Sequence, residues 1–173
     1  MGELFISDRD GVYVIKVSGR ATFECAPALR NLAKTLESTT FNAIRIDLGE
    51  CQWMDSTFMG ILAMLALRAK KTGAEISVHN AGPQNTELLY GLGLKKLFQF
   101  VDAGVDAVDG ANTPAVSAAP GDSSNPASYA HTVLEAHETL MDVDEGNVKK
   151  FDKVVDLVRK DLERVSGQDK QEN

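Results

Sequence analysis

Ile46-Asp47-Leu48-Gly49-Glu50-Cys51-Gln52-Trp53-Met54-Asp55-Ser56-Thr57-Phe58-Met59-Gly60-Ile61-Leu62 joins two unlike patterns. Its first part continues Ala43-Ile44-Arg45, β-branched and alternating apolar with polar, as a strand with one exposed face would. Its last part runs on to Lys71 with the length and composition of a helix. Phe58, Ile61, Leu62, Leu65 and Ala66 fall on one face, and Arg68, Lys70 and Lys71 crowd the end where cations suit the helix dipole. Thr72-Gly73 closes it, since glycine tolerates the left-handed backbone of a helix terminus. Asp55 and Ser56 stand where loop becomes helix. Both are good N-cap residues, because a short side-chain oxygen there accepts from amides that lack an intrahelical partner.

Working outward, the N-terminal side carries two strand-like runs, Leu4-Phe5-Ile6 and Val12-Tyr13-Val14-Ile15-Lys16-Val17. They are separated by Asp8-Arg9-Asp10-Gly11, and Asp-Gly between apolar runs predicts a tight hairpin. After Gly19, residues Ala26, Leu29, Leu32, Ala33 and Leu36 recur at helical spacing, with Pro27 suited to a first turn. On the C-terminal side, Glu75-Ile76-Ser77-Val78-His79 reads as a strand, Thr86 to Gly91 as a short helix and Leu97 to Val101 as an edge strand. Strands alternating with helices predict an α/β fold, a mixed sheet of four to five strands with helices packed on it.

Beyond Asp102 the chain turns small, polar and rich in Pro and Gly, with too little apolar bulk to fold. The expected organisation is a domain over residues 1–108, a flexible linker over 109–125, a helical segment over 126–166 and a disordered tail over 167–173. Within the helical segment, Ala130, Val133, Leu134, His137, Leu140 and Met141 share a face, and Asp144-Glu145-Gly146-Asn147 breaks it. Val148, Phe151, Val155, Val158, Leu162 and Val165 then step at heptad-like intervals. A C-terminal helical hairpin follows, with the two stripes facing each other. It would dock on the domain or on another copy of the chain, which makes a homo-oligomer one of the expected arrangements.

The chain has 173 residues, enough for one ordinary domain plus an appendage, and is 43% hydrophobic and 25% charged. A formal charge of -7 makes it a poor match for phosphate backbones, so no direct nucleic-acid binding is expected. The most apolar run, Phe58 to Leu67, is too short to span a bilayer, and the start lacks a basic segment before its apolar residues. A cytoplasmic protein with no membrane partner is the expectation, with Cys25 and Cys51 reduced and buried.

Several constellations fail on geometry. Asp142, Asp144, Glu145 and Gly146 lack the remaining oxygens of a calcium loop, and His131 and His137, six apart, do not share a helical face for zinc. His79 reads as a surface residue at a strand end. Gly91-Leu92-Gly93 lacks a third glycine and follows a helix, so no dinucleotide loop is present. With no Ser/His/Asp or Cys/His set recognisable, no enzyme, metal or cofactor is expected.

The run Asp55-Ser56-Thr57-Phe58-Met59-Gly60 resembles the hallmark of the STAS domain of anti-sigma-factor antagonists, in which Asp-Ser-(Ser/Thr)-x-(Leu/Met)-Gly opens a helix after a strand. The flanks agree: Val17-Ser18-Gly19 before it, then Gly73, Asn80-Ala81-Gly82, Leu88-Leu89, Gly93-Leu94 and Leu97-Phe98 after it. The resemblance covers Leu4 to Val101. Phe58 departs from the pattern, since many members carry Gly there, and this is expected to make the surface beside Ser56 bulkier.

The resemblance implies a partner-switching regulator. The unphosphorylated protein would bind an anti-sigma factor or related serine kinase, phosphorylation at Ser56 would end that binding, and a metal-dependent serine phosphatase would restore it. Ser56 is then the phosphoacceptor, Thr57 the fallback, Asp55 a positioning residue, and Asp55, Ser56, Thr57, Phe58, Met59 and Gly60 the partner-binding surface. The residues themselves leave two readings of Asp55-Ser56 open. One is a plain helix cap. In the other, a phosphate at the helix start adds about -1.5 to -2 charges beside Asp55, and a partner that accepts the bare hydroxyl refuses it. Two further functions stand beside partner switching: a STAS scaffold whose serine is never phosphorylated, in a signalling or transporter-associated complex, and a small-ligand or nucleotide sensor.

Overall fold

A computed structural model of the chain describes residues 2–102 and 126–171, with the side chains of 126 and 165–171 left aside. The element order is β1 (Glu3–Arg9), β2 (Val12–Ala21), α1 (Ala26–Thr35), β3 (Ala43–Met54), α2 (Ser56–Thr72), β4 (Glu75–His79), α3 (Pro83–Gly91), a 3₁₀ turn (Leu94–Leu97), β5 (Gln99–Val101), α4 (Pro126–Val143) and α5 (Gly146–Gln171). The five strands form one sheet in sequence order. β1 pairs antiparallel with β2, and β2, β3, β4 and β5 run parallel to one another. The sheet is therefore mixed, and helices carry each parallel crossover, as the alternating pattern requires.

The Asp-Gly turn forms as expected. Asp10 and Gly11 both have positive φ, 53° and 80°, the backbone that matches the twist of a two-strand hairpin. β3 is longer than its alternating core suggested and carries the chain to Met54, next to the loop residue Asp55. α3 starts at Pro83 rather than Thr86, because proline is well suited to a first helical turn. The expected edge strand is shortened to Gln99–Val101, since the 3₁₀ turn takes up Leu94–Leu97. His79 is buried rather than at the surface, and its Nε2 lies 2.8 Å from Ser77 Oγ.

The core joins Ile15, Ile44, Ile46 and Leu48 of the sheet to Leu29 of α1, Leu36 just past its end, and Phe58, Ile61, Leu62 and Leu65 of α2, all essentially water-free. α2 packs beside α1 and onto β3 and β4. It is buried on more than the one face read from the sequence: Met59, Gly60 and Ala63 are buried as well. The sheet cannot reach that second face. α4 lies on it, α5 packs on α4, and Ala136 and Leu140 of α4 join the core cluster. A helix apolar nearly all round needs cover on both sides, and here the C-terminal hairpin supplies it.

The hairpin turn is built from Asp144, whose Oδ1 accepts from Gly146 N–H at 2.8 Å, and from Asn147, fully buried. Asn147 Nδ2 donates to Leu92 O (2.9 Å) and Leu140 O (2.8 Å), tying the turn to the end of α3. Of the α5 stripe, Val155 is buried, Phe151, Val158 and Leu162 are half-buried, and Val148 is exposed. α5 runs on to Gln171, where a tail had been expected from 167. Ser166 and Gly167 lower helix propensity without removing a backbone donor. The expected linker over 109–125 lies outside the described residues.

Candidate functional site

Asp55 is the N-cap of α2. Its backbone is extended (φ -89°, ψ 173°), and its Oδ1 accepts from the Phe58 N–H at 2.8 Å. Its other oxygen, Oδ2, accepts from the Phe23 N–H at 2.7 Å, so one carboxylate fixes both the helix start and the loop after β2. Burial pushes its carboxyl above the usual carboxylate range, opposed by the amides of Phe58 and Phe23 and by His137. It is therefore not the ordinary surface carboxylate that the sequence suggested. Its position is that of a clamp on the backbone that presents Ser56.

Ser56 follows as the first residue of α2 and is half-buried. Its Oγ lies 2.9 Å from His137 Nε2 of α4, across 81 residues of sequence. The other ring nitrogen, Nδ1, lies 2.7 Å from the Val133 carbonyl oxygen, one turn earlier in α4. A carbonyl only accepts, so Nδ1 carries the hydrogen, Nε2 is bare, and the Ser56 hydroxyl donates to it. Burial holds the His137 pKa below the ordinary histidine value, which keeps the ring neutral. The ring also packs edge-on against Phe151, with centroids 4.8 Å apart.

The remaining motif residues divide sharply. Thr57 and Met59 are buried, and Phe58 is wholly so at 0% exposure. The expectation that Phe58 enlarges the surface beside Ser56 is thus corrected: its ring points into the core. Gly60 marks the crossing with α4. A Cβ on it would stand 2.5 Å from the Ala136 carbonyl oxygen and 2.7 Å from the Ala136 Cβ. Of the six residues, Asp55 and Ser56 alone keep partial exposure. An open cleft of about 450 Å3 beside them is lined by Trp53, Met54, Met59, Leu88, Leu92 and Lys150, among others. Arg20 lies over the Trp53 ring at 5.1 Å, near the same approach.

The sequence sets His137 on the inner face of the hairpin, where it meets Phe151, but does not reveal it as a site residue. No local signal marks it, because its partner is on another helix. Met59, Gly60 and Ala63 did hint that something covers the outer face of α2.

The family model described as Mlab, STAS domain matches residues 5–102, more than half of the chain. The chain belongs to the STAS domain family. Among solved structures, an anti-sigma factor antagonist from Mycobacterium paratuberculosis is 28% identical, with a TM-score of 0.50 over 62% of this chain and 92% of that one. The Bacillus cell fate determinant SpoIIAA in its phosphorylated form is 14% identical, with a TM-score of 0.52 over 63% and 99%. RsbS of Moorella thermoacetica, also 14% identical, reaches a TM-score of 0.51 over 59% and 87%. At such identities these last two share the fold alone. Each match covers the length of the STAS domain and leaves about a third or more of this chain unmatched. No curated protein is significantly similar to it in sequence. Among the described residues, no helix is long and apolar enough to cross a membrane.

Proposed function

We propose that this STAS protein is a partner-switching regulator of the anti-sigma-antagonist type, acting in the cytoplasm without catalysis of its own. With Ser56 bare it binds an anti-sigma factor or related serine kinase. Phosphorylation of Ser56 ends that binding, and a metal-dependent serine phosphatase resets it. The observation that best supports this reading is the placement of Ser56, half-exposed on a cleft at the first position of a 17-residue helix. A phosphate there sits at the positive end of the helix dipole. Beside the Asp55 carboxylate it also gathers negative charge where a hydroxyl donor stood. A partner that accepts from that hydroxyl loses its hydrogen bond and meets the charge instead.

A second reading, a scaffold whose serine is never modified, is favoured by one observation: His137 already accepts from the Ser56 hydroxyl. Phosphosite mapping of protein purified from its own host, with its kinase present, separates the two. Phosphate on Ser56 that disappears in Ser56→Ala supports the switch. Labelling that persists in full in Ser56→Ala refutes it, and protein that stays unmodified under every growth condition favours the scaffold.

A further inference from the structure

The hydroxyl that the proposed switch modifies is already held by a partner, and that partner belongs to the same chain. Ala136 of α4 lies against Gly60, so closely that no side chain fits between them. One residue further along α4, His137 receives the Ser56 hydrogen at 2.9 Å. Val133 O fixes a hydrogen on Nδ1, and in the neutral ring that burial favours the nitrogen facing Ser56 accepts. A neutral ring accepts from a serine that can donate, and it offers a hydrogen bond to one that cannot only by taking up a proton, which burial opposes.

Phosphorylation by a nucleoside triphosphate forms the Oγ–P bond as the bond from the γ-phosphorus to the bridging oxygen breaks, releases the nucleoside diphosphate and passes the hydroxyl proton to solvent. The donor to His137 is then gone, and anionic oxygens face a bare nitrogen lone pair beside the Asp55 carboxylate. The attachment that would have to yield is part apolar and part polar. α4 places Ala136 and Leu140 in the core, with Val143 and Phe151 packed at its edge. Tyr129 of α4 also meets the Phe23 ring edge-on at 5.6 Å, and around these run polar contacts: Arg30 to Glu135 (2.8 and 2.7 Å), Lys96 to Val143 O (2.8 Å) and Lys150 to Gly91 O (2.8 Å), beside the Asn147 bonds. Such a mixed contact resembles a domain interface more than an interior. Residues 103–125 keep a released hairpin on the chain.

We infer that the α4–α5 hairpin is the chain's own partner for the Ser56 switch: it docks on α2 while Ser56 carries a free hydroxyl and is expelled when a phosphoryl group stands there. Expulsion uncovers the α2 face around Met59, Gly60 and Ala63 and the α4 face around Ala136 and Leu140, each shaped to accept a helix. This rests on the reading of Ser56 as the phosphoacceptor.

The test uses the full chain with phosphoserine installed at position 56 during synthesis, so that no kinase is needed. Amide hydrogen exchange is compared with unmodified protein and with Ser56→Ala. Expected is a loss of protection in α4 and α5 by roughly tenfold or more on phosphorylation, a smaller loss in Ser56→Ala, and unchanged protection in β3 and β4. Protection in α4 and α5 that is unchanged or increased by the phosphate, as would follow if Lys150 clamped it, overturns the inference. So does a parallel loss in β3 and β4, which would mean that the domain unfolds rather than releases a part. Ser56→Glu with spin labels on α1 and α5 gives a second readout, expected to show a lengthened and broadened distance; an unchanged distance counts against release. Because the phosphate is installed, a host protein never phosphorylated on Ser56 would sink the proposed function and leave this result standing.

Discussion

Gly60→Ala adds a single methyl group and should act with opposite signs on two parts of the molecule. Within α2 the change favours the helix by about 0.5–1 kcal/mol, since alanine loses less backbone entropy than glycine on folding. At the crossing, the new Cβ would stand 2.5 Å from the Ala136 carbonyl oxygen, a backbone atom that no rotamer change can move aside. To restore ordinary contact α4 must shift outward by roughly 1 Å, which costs about 1–3 kcal/mol in a packed interface. The docking equilibrium of the hairpin should fall by roughly 5- to 150-fold. The same shift stretches the Ser56–His137 bond from 2.9 Å. Hydrogen exchange resolves the two effects by segment. Peptides within 126–143 should lose protection, while those from β3, β4 and the buried side of α2 keep theirs or gain slightly. Wild-type protection throughout α4 would show that the crossing is not tight, and the account of Gly60 would fail.

Leu65, wholly buried, should cost about 2–5 kcal/mol when cut to alanine, read from urea unfolding; a cost near zero would mean that the core face of α2 is misplaced. Asp55→Ala should lose about 0.5–2 kcal/mol by removing the cap, and Asp55→Asn less, because one amide oxygen can still serve either Phe58 or Phe23; equal losses from both variants would rule out the capping account. Burial lowers the His137 pKa from its ordinary 6.5, so the released hairpin binds a proton more readily than the docked one, although Asp55 opposes this. Docking is then strongest above pH 6.5 and weakens as the pH falls through the depressed value, which energy transfer between labels on α1 and α5 would report. His137→Gln should remove that dependence; a hairpin that tightens on acidification would contradict the assigned protonation state.

The order of strands and helices was legible in the sequence because each element signals through neighbours a few residues away. Alternation in Ala43–Leu48, the Asp10-Gly11 turn, the capping residue Asp55 and the glycine stop at Gly73 are all local, and backbone geometry obliges the chain to honour them. The same holds for Asp55 as a cap, although its second bond to Phe23 lies beyond local pattern. The C-terminal hairpin was also legible, because two apolar stripes on neighbouring helices cannot both face water.

What covers the outer face of α2 was decided only by the tertiary structure. A helical period shows which residues share a face but not what that face meets, and only the packing reveals that Gly60 lies against α4. Helical spacing sets Phe58 on the apolar face, while its departure from the family pattern points to the surface, and the spacing prevails, because a departure shows that a position differs, not which way its side chain turns. The Ser56–His137 bond lies furthest from the reach of sequence. Neither residue is unusual where it stands, and the bond joins positions 81 apart because their two helices cross at a glycine that lets the backbones approach.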